Sequence, residues 1–548
     1  MQVDRNVDVP MRDGVVLRAD VYRPSGGGAV PALVNRTPYD RTVSLIPPAG
    51  IEPEAAVEAG YAVVCQDVRG QYGSDGDFYT FVNEPFDGYD TVEWVAAQEW
   101  CDGSVGMVGR SYAATCQWLA ASERPPHLRA IFPVVTGSDF FRGWVYQGGA
   151  FHLGFNLFWV WMMSDSRRAG KAEELFAHLP LRTVELPDPK WARFYFDWLD
   201  HSTDDEYWHA FAINRRYPKI EVPAFNVGGW FDVFLGGTLE NFVRMQREGG
   251  SGAARTGARL LIGPWAHGST YGPFPDHSFN VFERADAIDF LALQLEYFDR
   301  HLRGSDRTDD DAPVQIFVMG DNRWRRESSW PLERAEEAPW FFRAGGGLAP
   351  EGPGDESPDG FVYDPGDPAP TIGGPTSLPA KRMKANAGPL DQRALADRAD
   401  VLVYSTEPLE RPLEVTGPLA LVLHAATEGR DTDFVAKLVD VTPAGEWLIL
   451  AEGALRARFR EGFDAERLPV PGEAHEYTID LVATSNVFLP GHRLAVLVTS
   501  SSFPRFDANP NTGNALGVDG PEDRRPVRQT VFHDARRPSR ILLPVVPR

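Results

Sequence analysis

At 548 residues the chain is too long for one compact core and implies two or three domains. Hydrophobic residues at 43% and aromatics at 12% exclude a mostly disordered chain, and a net charge of −23 without clustered cations excludes non-specific nucleic-acid binding. There is no run of about 18–20 apolar residues to span a membrane. Three cysteines (Cys65, Cys101, Cys116) in no metal-like spacing, behind an N-terminus without an apolar signal core, point to a reducing, cytoplasmic setting.

Glycine (52) and proline (45) are in excess, so many turns and short strands are expected. Residues 15–24 (VVLRADVYRP) alternate apolar and polar, and 30–36 (VPALVNR) reads as a buried strand. A helical pattern through 55–59, the apolar run 61–65, a helix over 90–98 and a short strand at 105–108 follow. Such alternation predicts a parallel sheet covered on both faces. From about 136 to 221 aromatics crowd together (Trp144, Tyr146, Phe151, Phe155, Phe158, Trp159, Trp161) and no clean strand is seen, which predicts a helical insertion. Strand-like runs return at 222–227 and 259–262, before an amphipathic segment at 288–301. The Gly/Pro/acid-rich stretch 344–375 is the predicted boundary. Beyond it, runs at 419–424, 434–439, 455–460 and 493–499 predict an all-β sandwich or jelly roll. The predicted division is an α/β domain over 1–136 and 222–343, a helical cap over 137–221 and a β domain over 344–548.

The strongest chemical signal is VGMVGRSYAA (105–114). A strand ends in Gly109, Ser111 follows, and a helix begins, which is how a nucleophile elbow exposes a serine hydroxyl at the C-terminal edge of a sheet. Ala113 stands where G-x-S-x-G has its last glycine. An ordinary turn serine capping a helix is the other reading of the same residues. Asp232 lies just past the strand 222–227 and His267 just past the strand 259–262. Singly, these read as a helix-capping aspartate and a loop histidine. Jointly, they give Ser, Asp and His in the chain order that the elbow fold requires, each at a strand's C-terminal end, where open α/β sheets place their sites. For the oxyanion, the N–H of Tyr112 is one donor. The loop NRTPYD (35–40) has no glycine-rich backbone to give another, so the Tyr39 hydroxyl is the candidate, against a role in packing the turn. The polar turns around Asp67, Arg69 and Asp75 read as ion pairing rather than metal binding, and Asp431 and Asp433 as strand-edge hydrogen bonding.

On MRDGVVLRADVYRP (11–24), NRTPYD (35–40), QDVRGQYGSDG (66–76), WCDGSVGMVGRSY (100–112), GGWFDVFLGG (228–237), LIGPWAHG (261–268), DRHLRG (299–304) and SNVFLPGHRL (485–494), the sequence resembles the cocaine-esterase-like branch of the X-Pro dipeptidyl-peptidase family, which includes α-amino-acid ester hydrolases. The resemblance implies an α/β-hydrolase domain with a helical cap and a C-terminal jelly roll. It implies Ser111 as nucleophile, His267 as base, Asp232 as orienting acid and Tyr39 as oxyanion donor, with Trp144, Trp159 and Phe234 lining an acyl pocket. In the family Tyr-x-Gly follows the serine; here Ala114 replaces that glycine, which bears on helix packing. The expected activity is hydrolysis of a small ester or amide through an acyl-enzyme, without metal or organic cofactor. The alternatives are X-Pro dipeptidyl-peptidase or α-amino-acid ester hydrolase activity, which needs a carboxylate for the substrate ammonium that the sequence does not single out. A carbohydrate-binding protein with a degenerate hydrolase domain is the rival from another class, opposed by the complete Ser/Asp/His set. Homodimerisation through the jelly roll stays open.

Overall fold

The computed structural model describes residues 1–43, 51–164, 172–267, 274, 275, 277–279, 287–305, 312–378 and 386–548. Gly268, which closes the LIGPWAHG motif, and 165–171 of the predicted insertion lie outside them.

The first sheet has ten strands, in the order Gln2–Pro10, Val16–Arg23, Ala62–Asp67, Val30–Thr37, Cys101–Arg110, Leu128–Val134, Phe225–Phe231, Arg259–Ala266, Val314–Val318, Arg323–Glu327. Pairing is parallel from Ala62–Asp67 through Val314–Val318 and antiparallel at both ends. The central strands are apolar without a break because both faces are covered. Val34, Val64 and Met107 point into one apolar layer with Trp118, while their neighbours Leu33, Val63 and Val108 point into the other with Phe298. Helices Glu84–Ala96 and Tyr112–Ser122 pack so closely that a Cβ on Gly88 would lie 2.5 Å from the Ala120 Cβ.

Between the sixth and seventh of these strands lies the helical insertion, with helices Leu153–Ser164, Ala172–Phe176, Pro189–Asp200 and Glu206–His209. Asp188 caps the third of these by accepting from the Lys190 N–H. The structure adds a two-stranded ribbon, Tyr146–Gln147 with Ala150–Phe151, where the sequence reading has no strand. Gly148 and Gly149 reverse the chain there with φ of 55° and 77°, and a Cβ on Gly148 would collide with the Ala454 carbonyl. The ribbon is therefore seated on the second sheet.

That sheet has twelve strands and is antiparallel except where Gly347–Ala349 meets Leu402–Ser405. It packs upon itself: Phe434 on Asp433–Val441 and Tyr477 on His475–Phe488, strands that do not pair, bring their ring centroids to 4.7 Å. Three sequence expectations need correction. The strand Glu336–Arg343 already pairs with Arg540–Val546, so the sheet begins ahead of residue 344, and the Gly/Pro-rich stretch carries strands Gly347–Ala349 and Asp359–Tyr363. The run 455–460 is not a strand throughout: Trp447–Arg456 ends there and Ala457–Phe459 turns as 3₁₀ helix, because Arg456 and Arg458 point inward to Asp433 and Asp431 at 2.8 Å each. Those two aspartates thus form buried ion pairs rather than strand-edge hydrogen bonds. Asp67 and Arg69 do pair, with Arg41 and with Asp87 and Asp13 respectively. The two sheets are joined by backbone bonds from Met319 N–H to the Ser485 carbonyl and from Val487 N–H to the Met319 carbonyl. No helix among the described residues is long and apolar enough to cross a membrane.

Candidate active site

Ser111 sits between the strand Cys101–Arg110 and the helix Tyr112–Ser122 with φ 56° and ψ −121°, a strained conformation for a residue with a side chain. The turn is held by Ser111 N–H donating to the Val134 carbonyl of the next strand. Gly109 explains the departure at Ala113. Its φ is 149°, and a Cβ on it would lie 2.8 Å from the Ala113 Cβ. The bare glycine leaves room for one methyl, so alanine fits where the pattern has glycine. Ala114 is fully buried, and the helix runs on regularly.

The strand order brings the three sequence-predicted residues together. Ser111 Oγ lies 3.1 Å from His267 Nε2, and His267 Nδ1 lies 3.1 Å from Asp232 Oδ2. His267 follows directly on the strand Arg259–Ala266 and Asp232 directly on Phe225–Phe231. The other Asp232 oxygen accepts the Phe234 N–H at 2.7 Å, so both carboxylate oxygens are engaged and the side chain has one orientation. Asp232 is not the cap of the following helix, Leu235–Glu248, whose N-terminal residue Phe234 has no side-chain cap. Ser111 and His267 keep only 8% and 9% exposure, so the reacting groups are largely shielded from water.

Tyr39 follows the strand Val30–Thr37, and Ser111 is among the side chains that act on its phenol. Trp159 Nε1 donates to the same phenol oxygen at 3.2 Å, which fills an acceptor position and leaves the phenol hydrogen free to donate. Burial pushes the Tyr39 phenol up to about 12, so it stays protonated through neutral and moderately alkaline pH. Tyr112 opens the helix, so its N–H has no acceptor four residues back.

An aromatic wall faces this group. Trp144 stacks on Phe234 at 4.3 Å, and Phe234 meets the His267 ring edge-on at 5.0 Å. Trp159 lies 6.3 Å from Trp144 and 6.2 Å from the Tyr112 ring. Sequence reasoning missed Phe155, which contacts both Phe234 (5.3 Å) and His267 (6.1 Å). It also missed the second task of Trp159 in orienting Tyr39. No local pattern marks either, since both come from a helix of the insertion folded over a distant sheet edge.

The chain matches the X-Pro dipeptidyl-peptidase (S15 family) over residues 13–269 and the X-Pro dipeptidyl-peptidase C-terminal non-catalytic domain over 306–542. It is 37% identical over 578 residues to a cocaine esterase of Rhodococcus sp. (strain MB1 Bresler), covering 100% of this chain and 99% of that protein. Among solved structures it is similar to an aminopeptidase of a marine sediment archaeon, Thaumarchaeota archaeon (TM-score 0.86, 27% identity, 100% of this chain and 97% of that one). It is also similar to an α-amino acid ester hydrolase (TM-score 0.86, 26% identity, 99% and 96%).

Proposed function

Since the chain belongs to the X-Pro dipeptidyl-peptidase (S15) family and is an α/β-type serine hydrolase, we propose that it cleaves carboxylic esters of apolar or aromatic acids through an acyl-enzyme on Ser111. Ser111 Oγ attacks the acyl carbonyl while His267 Nε2 takes its proton, and Asp232 holds the Nδ1–H and stabilises the imidazolium. The Tyr39 hydroxyl and the Tyr112 N–H receive the oxyanion. Collapse expels the alcohol with the proton from His267, and water repeats the cycle to release the acid.

The observation that carries the ester reading is the chemistry of the wall. Trp144, Phe155, Trp159 and Phe234 offer apolar faces to an acyl group, and among the described residues the carboxylate hydrogen-bonded to His267, Asp232, has both oxygens occupied. An α-ammonium substrate, as the names of the two structural relatives imply for those proteins, needs a carboxylate free to pair with it.

The test is turnover of p-nitrophenyl benzoate, an X-Pro p-nitroanilide and a phenylglycine methyl ester by the wild type and Ser111→Ala. The expected result is turnover of the benzoate well above the other two, lost in Ser111→Ala, with one organophosphonate label per wild-type chain and none in the variant. Preference for the anilide or the amino ester would replace the substrate reading, and a labelled, active Ser111→Ala would remove the nucleophile.

A further inference from the structure

Beneath the nucleophile lies a charged cluster that the acyl-transfer chemistry does not use. Tyr112, Arg36 and Glu84 are 0%, 0% and 2% exposed. The Tyr112 hydroxyl donates to Glu84 Oε1 at 3.0 Å and accepts the Phe81 N–H at 3.0 Å, with the Phe81 ring stacked on its own at 5.1 Å. Glu84 Oε2 receives Arg36 Nη1 at 2.7 Å and lies 3.5 Å from Cys116 Sγ, one turn further along the same helix. Arg36 is fixed in turn by Gln66 Oε1 at 2.7 Å, which also accepts from the Thr91 hydroxyl. Arg36 and Gln66 belong to the strands Val30–Thr37 and Ala62–Asp67, neighbours of the nucleophile strand in the sheet.

Burying such a cluster is expensive, and apolar side chains of similar volume stabilise as well or better. Its stability value therefore does not account for it; its geometry does. The peptide between Ser111 and Tyr112 carries the N–H proposed for the oxyanion, and its orientation is set by the strained ψ of Ser111. A relaxation of that torsion turns the N–H away from the oxyanion. The Tyr112 side chain, tied at its far end to a carboxylate with two further anchors, resists that rotation.

We infer that Glu84 is a positioning residue, which grips the Tyr112 hydroxyl and so keeps the Tyr112 backbone N–H aimed where the oxyanion forms. The inference rests on the acyl-enzyme reading above. It assigns the Tyr112 phenol to the scaffold rather than to the substrate, and makes the first turn of the helix Glu84–Ala96 a support for the oxyanion donor.

The test is steady-state kinetics on p-nitrophenyl benzoate with Tyr112→Phe and Glu84→Gln, alongside inhibition by phenylboronic acid, whose tetrahedral adduct puts a hydroxyl at the oxyanion position, and by benzoate, which does not. Outright loss of an oxyanion donor costs on the order of 10²–10³ in kcat. A misaimed donor should cost less, so Tyr112→Phe is expected to lose about tenfold in kcat with KM within about twofold. Phenylboronic acid should weaken by a similar factor while benzoate is unmoved. Glu84→Gln keeps an acceptor oxygen for the phenol and should stay within about threefold of the wild-type kcat. If Tyr112→Phe does not fold by far-UV circular dichroism, Glu84→Asp, which withdraws the carboxylate by one methylene, carries the test with the same expected split. A Tyr112→Phe enzyme with wild-type kcat, or one that changes KM alone, overturns the positioning role. Activity surviving in Ser111→Ala overturns the parent reading instead, so the two failures are distinct.

Discussion

In the proposed mechanism a phenol takes a place that backbone amides usually fill in an oxyanion site. Tyr39 accepts from Trp159 and is held protonated by burial, so its hydrogen is left to donate. Tyr39→Phe keeps the ring and removes one oxygen, so packing is little disturbed. The expected loss is on the order of 10²–10³ in kcat, about 2.7–4 kcal/mol, with KM nearly constant. The raised phenol value adds a second expectation. Ionisation would abolish the donor, and with the group pushed up to about 12 instead of the ordinary ~10, kcat should hold steady from about pH 8 to 10.5. A kcat that falls across that interval, or one indifferent to Tyr39→Phe, would hand the oxyanion to backbone donors alone.

At the scale of elements, the elbow joins strand to helix through steric accommodation between Gly109 and Ala113. Gly109→Ala adds a methyl 2.8 Å from the Ala113 Cβ, on a backbone with φ 149° that side chains rarely adopt. Overpacking of this kind costs about 1–3 kcal/mol, and because it strikes the turn that presents Ser111, kcat should fall with stability. The double variant Gly109→Ala/Ala113→Gly removes the collision with the Ala113 methyl but neither the backbone strain nor the 2.9 Å approach to Asn35 Nδ2. It should recover part of the melting temperature, and no recovery would mean that the torsion and the Asn35 contact set the cost. This turn was legible in the sequence because its signal is local: a strand, a glycine, a serine and a helix within ten residues. Asp232 and His267 were legible for the same reason, each lying just past a short apolar strand. The tasks of Trp159, Phe155 and Glu84 were not, since each depends on an element more than 25 residues away in sequence meeting the sheet edge. The start of the second sheet at Glu336 was hidden too, because EEAPWFFR pairs with the last strand of the chain, some 200 residues on.

Over the whole molecule, buried ionisable groups set how the protein responds to acid. Burial pushes His152 down to about 3 and His301 down to about 4. Glu452 is pulled down to about 2: burial alone would raise it, but Lys437 and Arg505 outweigh that. The unfolded chain takes up protons on these histidines near the ordinary ~6.5 and on the glutamate near ~4.3, before the folded protein does. Stability should therefore decline as pH falls from about 6.5 toward 4 on the histidines, and further below about 4.5 on Glu452. Thermal melts between pH 7.5 and 4 check this, and His152→Gln should flatten the upper part of the slope. A melting temperature constant from pH 7 to 5 would contradict it.

The ribbon turn at Gly148–Gly149 has a consequence for how such proteins can be rebuilt. Arg456 N–H donates to the Gly148 carbonyl, Phe151 and Asp507 exchange hydrogen bonds in both directions, and Gly154 N–H donates to the Pro504 carbonyl. The insertion that sets aromatic side chains against His267 is thus stitched, largely through main chain, to the β unit at the far end of the polypeptide rather than hinged above the first sheet alone. The two are a matched pair. A chimaera that exchanges the insertion with a relative's while keeping the resident β unit brings together surfaces shaped for other neighbours, whereas moving both as one cassette preserves the seam. Recombination, in the laboratory or in descent, should therefore tolerate crossovers that carry these two pieces together and reject those that part them.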